Sequence, residues 1–305
     1  MVLGLGIYST MYKAEEFEAE VPLRASEVSS RIGVPVPTIR SWERRYGWPN
    51  PRRTEGGHRR YTPEEVKQLL LLRDEVAAGR SARQAVMVLR RMAERHKKRY
   101  VDRLVAGALM LDQLKIRSAL DEASSTLAVE ETIDGVILPA LKEIGTKWER
   151  GLCDVAGEHL ASAQIRLWLG AALEQSRPKT APGILVLSTG PADWHSIGLE
   201  AFSVFLARGG WNPLVLGALT PVASLVEAVG RLGAAGAVVV CHLGVTRSAA
   251  LESIRAVAAM QGPKVYYAGN GFAAARARRG VPGTYLGTDM TDASHLVTQR
   301  LRAPG

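Results

Sequence analysis

Cysteine is scarce: the chain of 305 residues holds two, Cys153 and Cys241. They lie far apart and have no metal-type spacing, which excludes a disulfide framework and a cysteine zinc knuckle and fits a reducing compartment. Long apolar runs are also missing. None approaches the ~20 residues that cross a bilayer, so no membrane partner is expected. No basic leader with a small-residue cleavage site precedes the acidic segment Glu15 to Glu20, so residues 1–20 read as a disordered lead-in rather than a signal peptide. A catalytic acid–base pair is likewise lacking. The expectation is a cytoplasmic protein that is not an enzyme.

What the chain does have is basic charge, unevenly placed. Hydrophobic residues at 47% and charged residues at 23% are those of a soluble globular protein with room for two or three domains. The formal net charge is +9, yet Val21 to Tyr100 holds 19 Lys and Arg against 8 Asp and Glu, which is +11. The remainder carries 20 basic against 22 acidic residues, or −2. A basic block on a near-neutral body points to one domain that meets a polyanion.

That block has internal order. Leu23 to Val34 reads as a short helix ending at Gly33, and a second opens near Pro37 and Thr38 with Ile39 and Trp42 facing in. Arg40, Glu43, Arg44 and Arg45 are expected to face mostly out. Two short helices joined by a tight turn form a helix-turn-helix, whose second helix enters the major groove. Arg52 to Tyr61, with Gly56-Gly57 at its centre, reads as a hairpin wing. Thr62-Pro63-Glu64-Glu65 opens a further helix, another begins near Ser81, and the Lys/Arg cluster from Arg90 to Arg99 reads as a linker.

From Tyr100 to Arg177 the pattern is helical throughout, with helices near 100–110, 111–126, 130–150 and 155–177 and soft breaks at Gly107, Gly135 and Gly151. This is a four-helix bundle. After Pro182, strands near 184–188, 213–216, 236–241, 264–268 and 284–286 alternate with helices, the last two near 272–279 and 291–301. Such alternation implies a parallel, doubly wound α/β sheet, Rossmann-like or flavodoxin-like. The run Asp193-Trp194-His195-Ser196-Ile197-Gly198 leaves the first of these strands at its C-terminal end, where open α/β sheets place ligands. Asp193 can hold one ring nitrogen of His195 and leave the other free for a metal, while Gly198 lets backbone pass close to something bulky. The same run could also be a solvated polar loop. His242, at the end of the third strand, reads as a capped strand-end residue.

Three sets of residues carry a resemblance. Trp42-Glu43-Arg44-Arg45-Tyr46-Gly47, Arg52-Arg53-Thr54 and Gly56-Gly57-His58-Arg59-Arg60-Tyr61 resemble the winged helix of MerR-family transcription regulators over roughly Leu23 to Arg95. The resemblance implies that Arg40, Arg44, Arg45 and Tyr46 on the recognition helix, and Arg53, His58, Arg59 and Arg60 on the wing, meet operator DNA. Any single arginine could instead be a solvated helix face. Asp193-x-His195-x-x-Gly198 is similar to the signature of cobalamin-binding modules, in which the histidine is the lower cobalt ligand. Cys241-His242-Leu243 then stands where that family has Ser-x-Leu, and Gly269-Asn270-Gly271 matches its glycine turn. Cys241, Leu243, Gly269 and Gly271 are thereby implied beside the nucleotide tail, with Cys241 the weaker hydrogen-bonding partner. Finally, Trp148 with Glu158 and His159 resembles the upper-face motif of CarH-type photoreceptor regulators, the alternative being a core tryptophan beside a surface pair.

Together these imply a winged helix at 21–97, a bundle at 98–179 capping the upper face of cobalamin, and a cobalamin-binding domain at 180–305. The implied protein is a light-responsive repressor: a dark tetramer with adenosylcobalamin grips DNA, and light breaks the cobalt–carbon bond and releases it. One departure is Glu149, where light-cycling members often carry a histidine after the tryptophan. It leaves open a light-independent cobalamin sensor. A cobalamin carrier for a mutase or methyltransferase would share Asp193, His195 and Gly198 but has no use for a winged helix, and a drug-sensing regulator would take no cobalamin.

Overall fold

A computed structural model describes residues 22–53 and 56–302, so the lead-in expected at 1–20 lies outside the described residues. The chain divides into two compact units, Met1–His96 and Lys97–Gly305.

In the first unit, α1 (Ala25–Ile32) and α2 (Val36–Tyr46) each end at a glycine in the left-handed conformation, Gly33 at φ 68° and Gly47 at φ 58°. Residues with a Cβ adopt that conformation at a cost, so the glycines stop the helices cleanly. Strands β1 (Arg52–Arg53) and β2 (Arg59–Arg60) pair antiparallel as the wing. A bridge from Leu23 to Tyr61 ties the wing's end to the segment before α1. Helix α3 (Pro63–Ala77) opens on a capping box in which Thr62 Oγ1 accepts from the Glu65 amide and the Glu65 carboxylate accepts from the Thr62 amide. Val28, Ile32, Ile39, Trp42, Val66 and Leu69 close this unit's core.

Helix α4 runs unbroken from Ala82 to Leu109. The linker expected at 90–99 is therefore helical: its charges sit on a helix whose apolar positions Leu89, Tyr100, Val101 and Leu104 are buried. Gly107 does not break it either. A Cβ there would stand 2.6 Å from Ile116 Cγ1, so this glycine permits a close helix crossing.

The second unit continues with α5 (Gln113–Thr126), α6 (Val129–Thr132), a π turn at Ile133–Ile137, α7 (Leu138–Glu149) and α8 (Val155–Ser176). Asp112 and Asp154 cap α5 and α8 through their carboxylates. The sheet follows: β3 (Ile184–Thr189), α9 (Ile197–Arg208), β4 (Asn212–Gly217), α10 (Val222–Arg231), β5 (Gly236–Val240), α11 (Arg247–Ala258), β6 (Lys264–Ala268), β7 (Thr284–Tyr285) and α12 (Met290–Arg302). All five strands are parallel, in the order β4-β3-β5-β6-β7. The helix expected near 272–279 is absent. Two short 3-10 turns stand there instead, and the Arg278 guanidinium donates to the Phe272 and Ala273 carbonyls that a longer helix would have bonded.

Residues alternate between the sheet's faces. Leu185, Leu187, Val238 and Tyr266 share one core with bundle residues Ile144, Ile165 and Leu169 and with Phe202 of α9. Val186, Val239 and Tyr267 face the other way, with Leu225 of α10 and Ile254 of α11. Bundle and sheet thus close a common core, and the loops at the C-terminal ends of β3 and β5 open beside it.

Candidate functional site

Strand β3 lies between β4 and β5, so the first strand of the sheet has the second on one side and the third on the other. Connections leave in opposite directions there and open a crevice at the strand ends, the ligand position of doubly wound sheets. Asp193 and His195 stand on the loop leaving β3, and His242 on the loop leaving β5.

The Asp193 carboxylate is the centre of the arrangement. It is 1% exposed. Its Oδ1 accepts from the His195 amide at 3.0 Å and meets the His195 Nδ1 at 2.8 Å. Its Oδ2 accepts from the His242 amide at 2.6 Å. Burial pushes the carboxyl pKa up, but the hydrogen bonds from both histidine amides and the His195 ring outweigh it and hold the group below its ordinary range. The anion fixes Nδ1 of His195 as the protonated nitrogen and leaves Nε2 as a lone-pair donor. The His195 side chain is 49% exposed, so that donor is accessible. The His242 ring stacks on it, with centroids 4.5 Å apart and planes at 24°. Partial desolvation first, then proximity of His195, lowers the His242 pKa against the pull of Asp193, which favours a neutral ring.

The other expected residues fall into two groups. Gly269, at φ 99°, would place a Cβ 2.2 Å from the Cys241 carbonyl oxygen, and Gly271 would place one 2.5 Å from Cys241 Sγ. Both glycines are required by packing against Cys241. Its buried thiol, whose pKa burial raises, points to the Leu243 carbonyl at 3.1 Å, while the Leu243 side chain is exposed. Gly198 differs: a Cβ there meets no protein atom within 4 Å, so packing within the chain does not demand glycine.

On the bundle, Trp148 ends α7 with 49% of its surface exposed, which removes the core-tryptophan reading. Glu158 and His159 lie in the first turns of α8, with Glu158 Oε1 accepting from Ser162 Oγ at 2.6 Å and His159 Nε2 3.6 Å from Glu158 Oε2. Farther along α8, Arg166 donates to Ser196 Oγ at 3.2 Å and to Glu200 at 3.1 Å. Eight residues of helix, about 12 Å of rise, separate Glu158 from this anchor beside His195. The sequence reads His242 only as a capped strand-end residue and does not single out Arg166, because the stacking of the one and the anchoring of the other depend on neighbours distant in sequence.

Among the described residues no group of three or more His, Cys, Asp and Glu side chains could hold a metal ion. One oriented, accessible imidazole suits a metal whose equatorial positions are already filled by its own macrocycle, as cobalt's are in a corrin. The residues fit cobalamin on this account, since His195 offers one oriented and accessible nitrogen.

In the first unit, Arg40, Arg44 and Arg45 are exposed along α2, while Tyr46 is half-buried. Glu43, expected to face out, turns in and accepts from the Tyr61 hydroxyl and the Arg59 guanidinium. The structure thus places Arg59 in an ion pair with the recognition helix, the Glu43 side chain being 9% exposed. Arg40, His58 and Arg60 line the groove between α2 and the wing. Arg53 is placed by its backbone, on β1.

Comparison with known proteins bears on the two units as wholes. The MerR HTH family regulatory protein model matches residues 23–92, and a B12 binding domain model matches residues 100–172. The HTH-type transcriptional repressor CarA of Myxococcus xanthus is 34% identical over 211 residues, covering 67% of this chain and 70% of the relative. The HTH-type transcriptional repressor CarH of the same organism is 32% identical over 227 residues, covering 69% and 76%. A monomethylamine corrinoid protein of Methanosarcina barkeri is similar in fold, with a TM-score of 0.54 at 12% identity over 67% of this chain and 99% of that one. Among the described residues no helix is long and apolar enough to cross a membrane. A winged helix joined to a B12-binding body, at this identity and coverage, identifies the chain as a member of the CarA/CarH family of MerR-type, cobalamin-binding transcriptional regulators.

Proposed function

We propose that the protein is a cytoplasmic, light-responsive repressor that takes adenosylcobalamin as its sensor and binds operator DNA as a tetramer in the dark. The observation that carries the reading is the Asp193–His195 pair: a buried carboxylate at 2.8 Å from Nδ1 and an accessible Nε2. Bound, the cofactor would supply a light-labile cobalt–carbon bond. His195 would ligate cobalt from below, oriented by Asp193. The Trp148 indole would cover the adenosyl group and exclude water, and Glu158 would accept hydrogen bonds from ribose hydroxyls, with His159 beside it. Leu243, Gly269 and Gly271 would line the nucleotide tail, with Cys241 behind them. Arg40, Arg44, Arg45, Tyr46, Arg53, His58 and Arg60 would meet DNA, while Arg59 would hold the wing against the recognition helix. Trp148 and Glu158 would contact the adenosyl-bearing form alone, and such differential contact is how a ligand biases two states. Dissociation of several DNA heads would then remove avidity worth ~10²–10⁴ in apparent affinity.

Visible spectra of the protein with adenosylcobalamin, in the dark and after green light, test this together with elution volume. Wild type takes up colour and changes spectrum and mass on illumination, while His195→Ala loses the lower-ligand signature. Uptake without any light-driven change in mass supports the second reading, a light-independent cobalamin sensor, which the exposed Glu149 beside Trp148 favours. A carboxylate is a poorer cobalt partner than imidazole, so the illuminated form is not expected to acquire a second imidazole through that position.

A further inference from the structure

We infer that His242 is a positioning residue for the cobalt-directed imidazole of His195, acting through the flat face of its ring. The inference rests on the reading of His195 as lower ligand and adds a residue for which the signature motif has no role. Three observations converge on it. The two rings stack with centroids 4.5 Å apart and planes 24° from parallel. Both residues hang from one buried carboxylate, His195 through Oδ1 and His242 through its amide on Oδ2. They also arrive from opposite sides of the crevice, since β3 and β5 are paired neighbours with Thr189 opposite Val240 at the strand ends.

The physical need is plain. A hydrogen bond at Nδ1 fixes the tautomer and the distance of the ring, but the ring can still tilt about the axis through that bond. Ligation needs the Nε2 lone pair aimed within ~10–20° of the metal. A second ring lying flat against the first removes the tilt, and it does so without donating a bond of its own. Because the stacking face does the work, another flat ring should replace it, and a small aliphatic side chain should not. His242 is exposed at the strand end, so its substitution leaves the core intact.

The test compares full-length wild type, His242→Phe and His242→Ala, each checked for an unchanged thermal unfolding midpoint. Adenosylcobalamin is titrated in the dark by visible absorbance, and lower-face ligation is read from nitrogen hyperfine splitting in the electron spin resonance of the cob(II)alamin complex. The tautomer of His195 in the cofactor-free protein is read by nitrogen NMR. The expected result is a dissociation constant raised ~10-fold and a weakened nitrogen signature for Ala, within the range of lost outer-shell support. Phe stays within about twofold of wild type, and the His195 tautomer, set by Asp193, is unchanged in all three. Wild-type behaviour of Ala overturns the inference alone, and so does Phe as impaired as Ala, which would assign the role to a ring nitrogen. A wild-type complex with no nitrogen splitting overturns the reading of His195 and this inference with it.

Discussion

Arg166, on the last helix of the bundle, donates to the hydroxyl of Ser196, the residue that follows His195, across 3.2 Å. The same guanidinium meets Glu200 of α9 at 3.1 Å, and Ser196 Oγ donates to Glu200 at 2.7 Å. A helix that presents Glu158 and His159 is thereby tied to the loop that presents His195. With side chains 43% and 22% exposed, the ion pair is partly screened. A double-mutant cycle of Arg166→Ala and Glu200→Ala in denaturant unfolding is expected to give a coupling energy of about 0.2–1 kcal/mol. Strict additivity would mean the bridge is not formed in solution.

Replacing Asp193 by Asn removes the charge that orients His195 and leaves the amide of His242 with a weaker acceptor. Cobalamin affinity is expected to fall ~10–100-fold, as for other outer-shell carboxylates behind a ligating histidine. Equilibrium titration by absorbance measures it, and unaltered affinity would show that the ring does not need this anchor.

The glycines separate packing from ligand contact. Gly269→Ala forces a side chain onto the Cys241 carbonyl at φ 99°. It should cost about 1–3 kcal/mol from backbone strain alone, more with the clash, and lower the midpoint of thermal unfolding. Gly198→Ala meets no protein atom and sits in the first turn of α9. Its stability should hold or rise by up to ~1 kcal/mol, while cobalamin uptake declines. Calorimetry of each variant, followed by cobalamin titration, distinguishes the two.

Glu43→Ala strands the Tyr61 hydroxyl inside the first unit, where the residue has 0% exposure. A loss of about 1–3 kcal/mol is expected for an unsatisfied buried hydroxyl. Burial first, and then the Glu43 hydrogen bond, raise the Tyr61 pKa above its ordinary 10.0. The folded state then keeps a proton that the unfolded state releases, so stability is present below about pH 10 and is lost as pH rises beyond it. Tyr61→Phe should flatten that alkaline decline in a pH series of urea midpoints.

Arg40 and Arg44 should act on DNA without acting on stability. Alanine at either is expected to weaken binding to all sequences and to reduce the slope of log K against log salt by about 0.9 for each phosphate contact removed. Arg59→Ala should instead lower the stability of the first unit by loosening the wing. Gel shift across a salt series, beside thermal melts, tells the two kinds of arginine apart.

Much of this was legible in short stretches. The glycine stops after α1 and α2, the Thr62–Glu65 cap and the strand runs each depend on neighbours within a few residues. The Asp193–His195 bond is of that kind too, since two residues in one loop can meet without help from the rest of the fold. Longer-range facts were not legible. The charged run at 90–99 looks like a linker because its polar residues dominate, yet Leu89, Tyr100 and Leu104 carry the helix through it. Glu43 reads as solvent-facing until the wing folds back and brings Arg59 and Tyr61 to it.

The amino-acid order by itself determined that a basic winged helix, a helical bundle and a parallel sheet would form, and that one imidazole would have its own carboxylate. Only the tertiary structure decided that β5 lies beside β3, which sets His242 against the face of His195, and that α8 reaches the same loop through Arg166. The reason is range. Helix stops, caps and strand alternation are written in contacts a few residues apart, whereas strand order and helix docking come from burying whole faces against each other.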